Sequence, residues 1–411
     1  MTSGPREAVS QVVATVGNVP SAAPSAPALE PCALRDFLLY FLRLGTFGFG
    51  GPIALTGYMQ RDLVERRRWI SEQDYKEGLA LAQLAPGPLA AQLAIYLGWV
   101  RARLWGASLV AIAFIAPSFL MVLAISALYM RFGGLPWMQG VFYGIGAAVI
   151  AIIARSATKL LKMTLGHDRL LWALFVISAL VTAWTESEIF SIFVASGVVV
   201  MAVRAWSRRS PGGQLAVLAP PILLWLGAAG NPAPTGGLWT IFWFFAQAGS
   251  VVFGSGLAIV PFLHGGVVQH FGWLTERQFL DAVAVAMITP GPVVITVAFI
   301  GYLVAGLAGA TVASLGVFLP VYLFVVIPAP YFHRFAGNPQ VHAFVDGVTA
   351  AATGAIAGAA FVLGRRALFD AGTVAICLLT LVLILKVKKI PEPAVIVAAG
   401  IVGLVLRGLL P

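Results

Sequence analysis

Apolar runs of roughly membrane-spanning length follow one another along the chain, with short polar breaks between them. A helix rises about 1.5 Å per residue, so about 20 apolar residues cross roughly 30 Å of hydrocarbon. In the first half the runs are 37–58, 77–98, 104–130, 139–154, 170–184 and 189–203, with an extra short one at 215–229. The second half gives 238–263, 281–304, 306–328, 342–363, 373–385 and 394–406. The pattern predicts an all-α polytopic membrane protein of about thirteen membrane segments, some short enough to be tilted or re-entrant.

Two of these runs carry the same interruption. Pro86-Gly87-Pro88 and Pro290-Gly291-Pro292 stand 204 residues apart, near the centres of 77–98 and 281–304. Proline removes an N–H and clashes with the preceding turn, and glycine loosens the backbone further. The sequence therefore predicts helices broken near mid-membrane, tolerated in lipid only where protein or a polar cavity surrounds the break.

The match between the halves extends beyond the tripeptide. Residues 34–88 laid on 238–292 without gaps give 14 identities in 55 positions, among them Gly45/Gly249, Phe49-Gly50/Phe253-Gly254, Trp69/Trp273 and Glu72/Glu276. After one deletion it continues with Pro117/Pro320, Arg131-Phe132/Arg334-Phe335 and Gly144/Gly347. Aligned glycines, prolines and tryptophans point to a duplication rather than shared apolar composition. The chain divides into a tail at 1–33, a first repeat at 34–211, a linking segment at 212–237 and a second repeat at 238–411. The tail is rich in Pro, Ala and Ser and is predicted to be disordered. Seven spans ahead of the second repeat would make the repeats an inverted-topology pair.

Composition agrees with the pattern: 60% of the residues are hydrophobic and only 10% charged, far from the roughly 25% charged of soluble domains. Lys and Arg exceed Asp and Glu by 26 to 16, a net charge of +10. In a soluble chain that balance would suggest nucleic acid, but here the basic residues sit between apolar runs and orient them, so no nucleic-acid partner is expected. A cytoplasmic tail puts Lys159/Lys162, Arg208/Arg209 and Lys386/Lys388/Lys389 inside, while Arg66-Arg67-Arg68 falls outside and counts against that orientation. Cys32 and Cys377 form no ligand spacing, and with few histidines no metal site, redox centre or cofactor is expected.

Candidate chemistry gathers at the breaks. Gly50, Gly51 and the following Pro52 lie in a glycine-rich stretch of the first run, with Gly254 and Ser255 as counterparts. Such residues either let helices pack closely or unwind and offer amides to a cavity. The half-helices beginning at Pro88 and Pro292 leave first-turn N–H groups without intrahelical acceptors at the positive end of the dipole, an anion site in outline. Gly87 and Gly291 would contribute amides, the Thr289 hydroxyl an added donor, and Gln83 and Gln92 flank the first break. Arg43 lies within the first run as a candidate substrate cation, or a snorkelling side chain. Glu77 and Asp281 open the two broken helices at equivalent positions, either as first-turn acids favouring the dipole or as carboxylates that titrate during turnover, and Asp346 is a further proton-coupling candidate.

Phe49-Gly50-Gly51-Pro52, Trp69-Ile70-Ser71-Glu72, Gln83-Leu84-Ala85-Pro86-Gly87-Pro88 and Tyr96-Leu97-Gly98 together resemble the chromate ion transporter (CHR) family. The second half repeats the set as Phe253-Gly254-Ser255-Gly256, Trp273-Leu274-Thr275-Glu276, Thr289-Pro290-Gly291-Pro292 and Phe299-Ile300-Gly301-Tyr302, departing from the family pattern at Ser255 and at Ala286-Met287. The resemblance is to the long, two-domain form. It implies a multi-pass protein of the bacterial inner membrane that exports chromate and confers chromate resistance, with proton or potential coupling, and that is not an enzyme. The implied partners are the oxyanion and the lipid bilayer; whether copies of the chain form a homo-oligomer is left open. Chromate and sulfate are both tetrahedral oxyanions, so a sulfate or other oxyanion carrier, or a channel, stays in view. A membrane enzyme would need flavin, haem or metal ligands or an Asp-rich motif, and none is visible.

Overall fold

The computed structural model describes residues 29–49, 51–132, 136–166, 168–185, 190–207, 237–251, 253–254, 259–332, 338–368, 370–387 and 392–409. The run at 215–229 and most of the linking segment 212–237 lie outside them, as does the tail as far as residue 28. Residues 29–33 are held in place: Glu30 N–H donates to the Arg68 carbonyl at 3.0 Å, and Arg101 donates to the carbonyl of Cys32. The expected disorder of 1–33 therefore does not extend to its last residues.

Each repeat opens with two helical hairpins. In the first, α1 (Leu34–Phe47) descends, and α2 (Gly51–Met59) returns into a wide π-turn over Gln60–Arg66. Reversal is evident from what meets at the base: Arg67 lies 5.8 Å from the Tyr40 ring, and the Trp69 and Phe37 rings are 6.4 Å apart. In the second hairpin α3 (Glu72–Leu84) leads to Pro-Gly-Pro, and α4 (Leu89–Phe132) follows. Tyr96 Oη donates to Glu77 Oε2 at 3.4 Å, which requires α3 and the start of α4 to run side by side in opposite directions. α4 leaves helical dihedrals at Ala102 and Arg103, so it is two helices, 89–101 and 104–132. They pack closely enough that a Cβ on Gly98 would lie 2.5 Å from the Gly106 carbonyl oxygen.

The second repeat copies this. α8 (Leu238–Val251) and α9 (Ile259–Leu263), with a π-turn over His264–His270, form one hairpin, closed by Phe244 against Phe262, Phe271 and Trp273 at 5.3–5.8 Å. α10 (Glu276–Ile288) and α11 (Thr296–Val326) form the other, and α11 departs from helical dihedrals at Ala305 and Gly306. Four predicted spans, 37–58, 77–98, 238–263 and 281–304, are thus hairpins rather than broken crossings. The reason is local. Gly87 has φ +142° and Gly291 φ +102°, values that turn the chain back rather than kink it. The 13 residues of α3 or α10 reach only about 20 Å, short of a crossing.

Among the described residues, Leu89–Phe132, Val293–Tyr331 and Pro339–Arg365 are long and apolar enough to cross a membrane. Further apolar helices accompany them: α5 (Pro136–Thr164), α6 (Arg169–Thr185) and α7 (Phe190–Ser207) in the first repeat, then α13 (Ala371–Lys386) and α14 (Glu392–Leu409) after α12 (Pro339–Ala367). Large apolar side chains such as Ile112, Leu120, Leu180 and Leu379 are more than 60% exposed, as befits faces turned to lipid.

The repeats are exchanged rather than adjacent. α12 packs on α6 and α7 of the first repeat, and α5 packs on α13 and α14 of the second. The aligned glycines explain this: a Cβ on Gly144 would strike the Ala399 carbonyl, and one on Gly347 the Ser196 carbonyl. Gly45 and Gly249 do the same within each repeat, against the carbonyls of Phe114 and Val317.

Ser71 and Thr275 cap α3 and α10 by accepting from the N–H of Asp74 and Gln278, the local reason for the Trp-x-Ser/Thr-Glu motif in both repeats. The preceding turn needs a left-handed residue, filled by Arg68 (φ 51°) in one repeat and Gly272 (φ 60°) in the other. A left-handed L residue costs roughly 1–2 kcal/mol. Arg68→Gly is therefore expected to raise thermal stability in detergent and Gly272→Val to lower it, each by about that amount; melting curves of the purified variants check both signs.

Candidate functional site

The four hairpin tips converge. Gly87 and Pro88 form a two-residue parallel bridge with Phe253 and Gly254, so the first Pro-Gly-Pro is held by the glycine tip of the second repeat. Reciprocally, the Gly291 N–H donates to the Gly48 carbonyl at 3.0 Å, so the second Pro-Gly-Pro is held by the glycine tip of the first. The exchange satisfies backbone groups that a chain reversal in an apolar medium would otherwise strand.

Ser118 sits at the midpoint of helix 104–132, beside Pro117, and is fully buried. Its Oγ donates to Pro290 O at 2.7 Å and lies 3.3 Å from Gly45 O, joining two tips from different repeats. Val321, next to Pro320, occupies the related place on the other side and would be 3.1 Å from a Cβ on Gly87. A Cβ on Gly291 would run into Ser118 Oγ.

Gln92, in the first turn of helix 89–101, is the polar side chain at the first break. It is wholly buried; its Nε2 donates to Pro86 O at 2.7 Å and to Ala85 O at 3.3 Å. Its Oε1 is buried with no hydrogen-bond partner among the described residues, a condition worth roughly 1–3 kcal/mol of lost solvation. Helix geometry leaves the first-turn N–H groups of Leu89, Ala90 and Ala91 without intrahelical acceptors beside it.

Several expected site residues play other parts. The amide of Gly291 is engaged by Gly48, and the Thr289 hydroxyl donates to Val285 O at 2.7 Å, so neither is a donor for a ligand in this state. Gln83 and Arg43 are exposed. Pro86 and Pro290 offer carbonyls, while Pro88 and Pro292 precede the returning arms. Gly51 takes φ +72° with open space where a Cβ would stand; Gly254 is in the bridge; Gly50 and Ser255 lie outside the described residues.

The acidic candidates separate as well. Asp281 is 3% exposed and its Oδ2 accepts from Tyr129 Oη at 2.7 Å, across the repeats. Glu77 is half-buried and takes hydrogen bonds from Gln73 at 2.9 Å and Tyr96. Asp346 is in an ion pair with Arg204 at 2.6 Å, and Arg204 also binds Asp168 at 3.0 Å. That cluster ties α12 to α6 and α7, which favours a structural part for Asp346. Sequence reasoning missed Ser118, Tyr129 and the buried His264, 2.7 Å from Glu276. Aligned Pro117 and Pro320 were the available signal for the first; nothing in the sequence marks a cross-repeat tyrosine.

The profile of the Chromate transporter family matches residues 35–201 and 239–404. The chain is 58% identical over 388 residues to a chromate transport protein of Cupriavidus metallidurans, covering 92% of this chain and 94% of that one. It is 55% identical to a probable chromate transport protein of Synechococcus elongatus over 91% and 95% of the two chains. A chromate transport protein of Pseudomonas aeruginosa is 32% identical over 79% and 80%. No solved structure matches.

The tips make a prediction. Ser118→Ala keeps the fold, removes the bond to Pro290 O and is expected to cost about 1–3 kcal/mol. Gly291→Ala should be far worse, and Ser118→Gly should rescue it only in part, because the positive φ remains. Fluorescence-detected size exclusion of the single and double variants, with transport beside it, measures both.

Proposed function

The chain belongs to the chromate transporter family, and we propose that it exports chromate across the bacterial inner membrane by alternating access around the four tips. The observation that carries this is the exchanged pairing of Pro-Gly-Pro and glycine tips, a buried junction of half-helix ends contributed equally by the two repeats. Half-helix N-termini attract anions through their unpaired amides and dipole, and transporters built from inverted repeats place substrate at such discontinuities. Each clasp joins one repeat to the other, so a rocking motion opens one clasp while the second stays closed.

Asp281 is the coupling group in this reading. A buried carboxylate with a tyrosine hydroxyl on one oxygen exchanges its proton only when the contact between repeats opens, which ties protonation to the conformational cycle. A proton entering through this group as each chromate leaves makes transport respond to both the proton gradient and the potential.

Cells producing the protein should accumulate less radiolabelled chromate than control cells while reducing it no faster. Inverted vesicles should take it up, with uptake falling when the gradient or the potential is collapsed separately. Asp281→Asn should flatten the pH dependence of that uptake while chromate binding persists. Equal accumulation in producing and control cells overturns export; linear uptake that ignores the proton gradient points to a channel.

The repeats are read as inverted in the membrane. In support, Arg101, just before helix 104–132, meets Cys32 at the first repeat's hairpin base, while Tyr129, near that helix's other end, meets Asp281 at the second repeat's. Single cysteines in loops 67–71 and 271–275 should label from opposite sides. Labelling of both from one side refutes the inversion.

A further inference from the structure

We infer that the groove between α1 and helix 104–132 holds one acyl chain of an anionic phospholipid, with Arg35 meeting the headgroup phosphate. This face lies towards the hairpin base rather than the tips, and nothing about it depends on which ion is carried.

The groove has a volume of about 350 Å³ and is lined by Leu34, Arg35, Leu38, Leu39, Leu42 and Ala113. On α1 the lining residues stand at i, i+1, i+4, i+5 and i+8, one stripe of the helix. The stripe runs about 12 Å, most of the roughly 15 Å of hydrocarbon in one leaflet. Leu39 and Leu42 remain 40% and 41% exposed on it. All the lining is apolar except the cation at its end.

The second repeat shows why the groove exists. Its equivalent interface, between α8 and the later arm of α11, is closed. Gly316 stands where the first repeat has Ala113, and a Cβ on it would lie 2.7 Å from Phe242 O. Ala113 carries that Cβ, so α1 stands off from helix 104–132 at this level. The two helices close only further on, where Gly45 meets the Phe114 carbonyl. The side chains differ to match: Arg35, Leu38 and Leu39 are replaced by Trp239, Phe242 and Trp243. The Trp239 ring stacks on Phe242 at 5.5 Å and on Trp243 at 6.4 Å. One repeat covers this face with its own rings; the other leaves it open and heads it with a charge.

Depth and charge identify the occupant. The Glu30 N–H on Arg68 O and the Arg101 guanidinium on Cys32 O bring residues 29–33, the hairpin base and the 101–104 turn to one level. Arg61, Arg66, Arg67, Arg68, Arg101 and Arg103 are all exposed there, as suits the depth of lipid headgroups. Of the neighbouring acids, Asp62 is in ion pairs with Arg61 and Arg66, while Asp36 and Glu65 are exposed. Trp105, 79% exposed, supplies an interfacial anchor at the start of the facing helix. An acyl chain along the leucine stripe brings its phosphate to Arg35, three residues after the Cys32 carbonyl that holds Arg101. A zwitterionic lipid fits the same stripe but sets its own cation among these arginines, so the groove favours the anionic one.

The test is native mass spectrometry of the purified full chain with equimolar phosphatidylglycerol and phosphatidylcholine of matched chains. The first lipid retained should be phosphatidylglycerol. Arg35→Gln should cut its preference over phosphatidylcholine about fivefold, the effect of one arginine at a lipid surface. Leu39→Trp, which copies Trp243 of the second repeat, should fill the groove and lose the first-bound lipid of either kind. Glycerol phosphate, which has the charge without the chains, should not displace it. Equal retention of the two lipids by the wild type, or an unchanged preference in Arg35→Gln, overturns the inference. Displacement by glycerol phosphate also overturns it, since an anion site without an acyl groove would remain. A dimer that Leu39→Trp dissociates assigns the groove to a second copy instead. If Leu39→Trp does not fold, the charge variant decides alone.

Discussion

Backbone amides turned back inside a membrane need partners, and this requirement governs the molecule. Each repeat reverses its chain at two tips, and each reversal exposes polar backbone at a depth without water. The tips of one repeat cannot satisfy themselves, since glycine and proline there have given up helical bonding. They are satisfied by the other repeat, through the bridge of Gly87-Pro88 with Phe253-Gly254 and the bond from Gly291 to Gly48. The positions of the long helices follow. Ser118 must stand between two tips, so helix 104–132 runs through the junction, and Gly45 must be small for α1 to reach it.

Much of this was legible in the sequence. The Pro-Gly-Pro pair, the glycines at 45, 144, 249 and 347, and the tryptophan-headed turns mark the places where the structure needs small residues, reversals or caps. What the sequence did not reveal was direction. A proline-glycine break in an apolar run of spanning length reads equally as a kinked crossing or as a hairpin, because periodicity is the same on both arms. The difference lies in contacts such as Tyr96 with Glu77, which are tertiary. The candidate site at the breaks was partly visible for a similar reason. Helix breaks announce free amides, yet which amides stay free depends on a distant carbonyl: Gly48 takes the Gly291 amide, while Gln92 was identified as a flank without a sign of its orphaned acceptor.

The repeats have diverged in side chains more than in backbone. Left-handed turns, caps and close glycines recur in both halves with nearly the same geometry. In contrast, Ser118 faces Val321, Gln83 faces Met287, and Glu77, half-buried, faces a fully buried Asp281. A duplicated frame kept symmetric by its backbone thus carries different polar side chains at equivalent places in its two halves.

The exchange of α5 and α12 between repeats has a consequence for how the protein is made. As the first repeat leaves the ribosome, the helices that will cover α5, α6 and α7 have not been synthesised, and neither has the carbonyl-rich tip that holds Gly87. A half-finished chain must wait in the bilayer with its reversals unpaired, and only the arrival of α12 and α14 closes it. Closing the junction therefore involves nearly the whole length of the polypeptide, because a chain ending between the repeats lacks both α12 and the tip that pairs with Gly87.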